Sequence, residues 1–146
     1  MSIHVIHENM RPKADLPFTE KEWKEIGQIV KLDIQRGILA QRQVDGTSYA
    51  PLKAKTIQKK QKKGSPMPEK RLIDTRNLEK NQVITPRLDG VELTIGPTRA
   101  EIGVYQQLEP GRGNVATYFF GISENASRAI VSYVDKLIDR WLRASR

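Results

Sequence analysis

Cysteine is absent from the chain. No disulfide and no thiolate metal site can form, which agrees with a protein made and used in a reducing cytoplasm. Histidine is nearly absent, with His4 and His7 the only two. No His–carboxylate cluster at ligand-like spacing accompanies them, so they read as solvated residues near the chain end, and no metal or cofactor is expected. No run of about 18 apolar residues occurs, so neither a membrane span nor a membrane partner is expected. Residues 1–16 also lack the charged head, apolar middle and small-residue cleavage site of a secretory signal. Aromatic residues make up only 6% and hydrophobic residues 38% of the chain, which fits a compact core together with a sizeable exposed or partner-covered fraction.

The signatures of chemistry are missing too. There is no G-x-x-x-x-G-K-[ST] phosphate loop, no G-x-S-x-G elbow, no H-E-x-x-H and no EF-hand loop. Gly111-Arg112-Gly113 lacks the helix-opening context that cradles phosphate and reads as a turn. Asp74, Glu79, Glu101 and Glu109 have no spacing that suggests an acid–base pair. The expectation is a protein that is not an enzyme.

What the chain has in excess is lysine. The 146 residues carry a net charge of +8, with a pI near 9.8 that favours acidic partners. Between positions 53 and 71 the basic residues Lys53, Lys55, Lys59, Lys60, Lys62, Lys63, Lys70 and Arg71 face a single acid, Glu69. That one stretch holds nearly all the excess. The length suits one domain, 1–146, with residues 1–17 as an N-terminal arm and 46–80 as an extended basic loop or arm within it.

Residues 2–9 alternate apolar Ile3 and Val5 with His4 before the phase breaks, which suits a short strand or an arm. Thr19 followed three residues later by Glu22 predicts a capping box, with Phe18 and Trp23 placed as a hydrophobic staple. Trp23, Ile26, Val30, Ile34 and Ile38 recur at three- and four-residue spacing and predict an amphipathic helix over 20–40. Glu20, Glu22 and Glu25 near its start and Arg36 and Arg42 near its end suit the helix dipole. Asp45-Gly46 then marks a turn.

Pro51, Gly64, Pro66 and Pro68 exclude one continuous helix through the lysine-rich stretch. Residues 52–63 fit a short basic helix with a thin apolar contact at Leu52, Thr56 and Ile57. Leu72, Ile73 and Leu78 tie a second short helix or turn to the core. From Asn81 the period changes to two: Val83, then Val91, Leu93 and Ile95, on either side of Arg87-Leu88-Asp89-Gly90, predict a β-hairpin. Residues 100–105 fit a third strand, 106–114 a loop, and 114–120 a short extended piece. Ser123 then caps a last helix over 124–143, striped by Ile130, Val134, Leu137 and Trp141 and flanked by Val131 and Ile138. The fold class is α+β: a small antiparallel sheet packed with two long amphipathic helices, with a long basic excursion between the first helix and the sheet.

Three readings of the basic stretch stay open. It lies against nucleic-acid phosphates, or it is a solvated, self-repelling charge run, or it is an arm docking on an acidic face of a neighbouring subunit. Tyr49 is its only ring, so the stacking platform that single-strand binders use is missing.

The order of residues resembles a family. Tyr49-Ala50-Pro51-Leu52, then Thr56 and Lys59-Lys60, then Leu72-Ile73-Asp74-Thr75 and Leu78 are similar to an aromatic-x-Pro-Leu … Thr … Lys … Leu-x-x-Thr-Gly-x-Leu pattern, with Arg76 where the pattern has Gly. Leu108-Glu109-Pro110-Gly111 and Phe119-Phe120-Gly121-Ile122-Ser123 before a closing helix resemble the same family's ending. That family is the bacteriophage virion morphogenesis proteins, the tail-completion and neck proteins of Mu-type and related phages. The resemblance implies a structural protein made in the host bacterial cytoplasm and located in the virion at the head–tail connection. There it completes or caps the tail and joins it to the head as one subunit of a homo-oligomeric ring. Its implied partners are copies of itself, other phage tail and neck proteins, and, by non-specific contact, packaged DNA. The basic side chains Lys53, Lys55, Lys59, Lys60, Lys62, Lys63 and Arg71 then serve assembly first and DNA second. A tail terminator subunit and a small basic DNA-binding protein are the alternatives.

Overall fold

The structure is a computed structural model and describes residues 2–6, 18–73, 80–96 and 117–146. Along these run strand β1 (Ser2–Ile6), helix α1 (Glu20–Leu39), helix α2 (Ala54–Lys62), strands β2 (Gln82–Pro86) and β3 (Gly90–Ile95), and helix α3 (Glu124–Ala144). The strands form an antiparallel sheet in the order β1-β3-β2, α1 packs against β2 and β3, and α3 packs on α1. The fold is α+β.

Helix α1 starts where its side chains satisfy the backbone. Thr19 is the N-cap and forms the capping box with Glu22, its backbone N–H donating to Glu22 Oε2 at 2.5 Å. Phe18 and Trp23 meet with ring centroids 5.0 Å apart, as a staple requires. The face bearing Trp23, Ile26, Val30, Ile34 and Ile38 is buried, together with Gly27 and Gly37. Gly27 permits the close approach of helix and sheet: a Cβ there would lie 2.6 Å from Ile84 Cγ2 and 2.8 Å from Val91 Cγ2.

The capping box makes a prediction about acid. The Thr19 hydroxyl, hydrogen-bonded to Glu22, holds that carboxyl below its ordinary value near 4.5. A carboxyl with a depressed folded-state pKa stabilises the fold above its unfolded pKa, and that contribution is lost as pH falls through the folded value. Thr19→Ala is expected to cost about 1 kcal/mol at neutral pH. Both Thr19→Ala and Glu22→Gln should flatten the loss of stability below about pH 4.5, as read by urea midpoints across pH.

The hairpin forms where the period-two alternation placed it. Arg87 N–H donates to Gly90 O at 2.7 Å to close the turn, and Leu93 pairs with Ile84 on one side and Ile3 on the other. Of the two readings of the first residues, strand and arm, residues 2–6 take the strand. Leu93 and Ile95 are buried beneath α1 in a core shared with Val30, Ile34, Ile38, Phe119 and Phe120, while Val91 is buried in the adjoining cluster with Trp23, Ile26 and Val134. Residues 117–120 form no strand, and the third strand expected at 100–105 lies outside the described residues.

Helix α3 opens at Ser123, whose Oγ accepts from Ala126 N–H at 3.1 Å. The same hydroxyl donates to Asp33 Oδ2 on α1 at 2.6 Å, and Asp33 Oδ1 accepts from Arg42 at 3.1 Å. Arg42, just beyond the end of α1, is thereby the ion-pair partner of Asp33. Further along, the Tyr133 hydroxyl donates to the Glu25 carboxylate. Burial, followed by that bond, pushes the phenol's pKa upward.

Candidate functional site

Helix α1 ends without a glycine. Gln41 takes the left-handed conformation at φ 57°, its N–H donates to Ile38 O at 3.2 Å, and the next N–H, of Arg42, donates to Gly37 O at 2.8 Å. This is the Schellman arrangement with glutamine at the position that usually takes glycine. The Gln41 side chain then works as a clamp. Its Nε2 donates to Ile38 O at 2.7 Å and to Arg71 O at 3.0 Å, and its Oε1 accepts from Arg71 N–H at 2.6 Å. Its backbone O accepts from Tyr49 N–H at 2.7 Å, so one residue holds both ends of the basic excursion.

The first bend of the excursion is the expected Asp45-Gly46 turn. Asp45 Oδ1 accepts from Thr47 N–H at 2.9 Å and from its hydroxyl at 2.6 Å, bonds that hold the Asp45 carboxyl below its usual range. Gly46 has φ 87°. Tyr49 then enters the core at 7% exposure; its hydroxyl has no partner among the described residues, and burial pushes its pKa upward.

Several basic side chains of the stretch are structural. Lys70 Nζ donates to Leu39 O at 2.7 Å and so satisfies one of the orphan carbonyls at the end of α1, where a cation also suits the helix dipole. Lys60 Nζ donates to Lys70 O at 2.5 Å, and Arg71 Nε donates to Ala50 O at 2.5 Å. Ile73 is fully buried among Tyr49, Phe119 and Phe120, with Met67 and Leu72 packed against that cluster. The excursion is therefore not extended over residues 46–73. It is strapped to the C-terminal end of α1 by hydrogen bonds to backbone carbonyls and hooked into the core by two side chains. Leu72 and Ile73 are thus covered by their own chain, in keeping with the tie to the core expected of them. Leu52 and Ile57 are half-buried.

Helix α2 (Ala54–Lys62) is the short basic helix the sequence predicts. It buries no residue fully. Gly64 ends it at φ 72°, with Gly64 N–H donating to Gln61 O and Ser65 N–H to Lys60 O, both at 3.0 Å. Half-buried Ile57 and Lys60 mark its inner side, while Lys53, Lys55, Lys59, Lys62 and Lys63 are exposed.

Of the positions that carry the family resemblance, Tyr49 and Phe119 share one core cluster and Leu72 packs on it, whereas Pro51 and Thr56 are exposed. Gly121 sits against Val44, where a Cβ would meet Val44 Cγ2 at 3.1 Å, and Val44 N–H donates to Tyr118 O at 2.8 Å. The first motif and the closing one therefore meet beside the end of α1. Asp74, Thr75, Leu78, Glu109 and Gly111 lie outside the described residues, as does the loop expected at 106–114. Among the described residues no group of three His, Asp or Glu is placed to hold a metal ion, and no helix is long and apolar enough to cross a membrane.

The sequence reading missed Gln41, Asp33 and Gly27. Gly27 alone left a signal: a glycine on the apolar stripe of a helix costs about 1 kcal/mol against alanine and usually has a packing reason. No family model, no curated protein and no solved structure matches this chain.

Proposed function

We propose that the protein is a non-enzymatic virion assembly protein, a ring subunit of the phage head–tail connection that completes the tail and joins it to the neck. The observation that carries this reading is the width of the apolar surface on α3. One row, with Ile130 and Val134, packs on α1 and the sheet. Beside it a second row runs through Val131 and Leu142, with Ile138 between them still packed on the Trp23 cluster. Val131 is 46% and Leu142 47% exposed there. Trp141 is a further 38% exposed, and away from α3 so are Tyr118 at 51% and Val83 at 49%. Head-to-tail rings use two different patches per subunit, and an apolar helix row with separate apolar spots elsewhere on the body supplies candidates for both. The motif residues that resemble the phage family support the same assignment.

Electron microscopy of the purified chain tests the reading. Closed rings of uniform size are the expected result, and Val131→Asp with Leu142→Asp, both at exposed positions, should abolish them while leaving the circular dichroism melt unchanged. Particles of single-chain size in both proteins would overturn the proposal.

A further inference from the structure

Three of the eight basic side chains of the stretch, Lys60, Lys70 and Arg71, are consumed in holding the fold, and what remains is ordered. Lys55, Lys59, Lys62 and Lys63 follow one another at i, i+4, i+7 and i+8, so on α2 and its cap they share one face. That face lies opposite Ile57, which is half-buried. The four lysines form a stripe whose positions span about 12 Å along the helix axis, at about 1.5 Å per residue. None of them makes a salt bridge among the described residues.

We infer that this stripe of α2 is a contact for the phosphates of duplex nucleic acid, read without regard to base sequence. The composition of the outward face decides between the two kinds of acidic partner. A protein interface is centred on aromatic, apolar or arginine anchors and is depleted in lysine. Here the stripe is flanked by exposed Thr56, Gln58 and Gln61, which offer hydrogen-bond groups and no apolar anchor. Lysines and amides are what backbone-positioning contacts to DNA use. Tyr49, the one ring in the stretch, is buried in the core, so stacking of single-stranded bases is not available. The rigid attachment matters as well. Lys60, Lys70 and Arg71 donate to backbone carbonyls and hold α2 on the end of α1, so its cations are presented on a fixed frame.

The inference goes beyond the ring reading and does not depend on it, since DNA binding is read on the chain whatever its oligomeric state. The experiment is fluorescence anisotropy of a labelled short duplex titrated with the full chain at several salt concentrations. Contact with three or four phosphates gives a slope of log K against log salt of about −2.7 to −3.6, which is a loss of roughly 40- to 150-fold between 50 and 200 mM. The variant Lys55→Gln/Lys59→Gln/Lys62→Gln/Lys63→Gln should lose that binding with an unchanged melt, because none of these side chains is buried. Lys21→Gln/Lys24→Gln, two exposed lysines on α1, should keep it. No binding at 50 mM salt, or binding that survives the fourfold variant, would overturn the inference. Equal displacement of the duplex by poly-glutamate at matched charge would overturn it as well, in favour of an acidic polypeptide.

Discussion

Replacing Ile73 by alanine is expected to destabilise the protein by about 2–5 kcal/mol, the range for emptying a fully buried aliphatic site. Ile73 has no exposed surface and belongs to the cluster that unites α1, β3, Tyr49 and the two phenylalanines before α3. Its loss leaves a cavity at the point where the basic excursion enters the core. Two readouts separate this from a general weakening. The urea midpoint should fall, and tryptic cutting within residues 53–63 should speed up relative to cutting within α1, because the hook that returns the excursion to the body is gone. Lys59→Gln, at an exposed position, should move the midpoint by no more than about 0.5 kcal/mol. An Ile73→Ala protein as stable as the parent would contradict the packing of residues 46–73 described above.

Asp33→Ala carries the second large effect, a loss of about 2–4 kcal/mol. The carboxylate accepts from Ser123 Oγ at 2.6 Å and from Arg42 at 3.1 Å, and hydrogen bonds to a charged group contribute about 1.5–3 kcal/mol each. Its side chain is only 16% exposed, so solvent replaces little of what is lost. The bond to Ser123 matters twice over, because the same hydroxyl caps α3. Ser123→Ala should cost about 1–2 kcal/mol through the cap and the shared bond. A double-mutant cycle between positions 33 and 123 is expected to give a coupling of about 1 kcal/mol. Additive losses would mean that the two residues act separately.

These two residues mark the boundary of what could be read from the chain. The helices and the hairpin are local: a capping box, a stripe at three- and four-residue spacing and an Asp-Gly turn between alternating runs each lie within a few residues of one another. Their physics is complete in one window. The end of α1 is different, because Gln41 adopts a backbone conformation that glutamine rarely takes. What holds it there is a pair of hydrogen bonds between its side-chain amide and the backbone of Arg71, thirty positions away. The lysines show the same limit. In sequence all of them count as charge, whereas in the fold Lys60, Lys70 and Arg71 reach backbone carbonyls that only the tertiary structure brings near. The candidate site was thus legible as a stretch and not as a surface. The alternation of consumed and exposed cations follows from which side of α2 Ile57 holds against the body. Asp33 gave no signal, since a lone acid on a helix face says nothing about a serine 90 positions later.

The account stands or falls on assembly through the outer row of α3, and the most direct measurement is the mass of the purified chain by light scattering at low and high salt. A discrete mass that is a multiple of 16.6 kDa, unchanged between the two salts and reduced to the single chain by Val131→Asp/Leu142→Asp, is the expected result, because an apolar contact is not screened by ions. A 16.6 kDa particle at every concentration and salt would contradict the ring reading, and the lysine stripe on α2 would then stand alone as the functional surface.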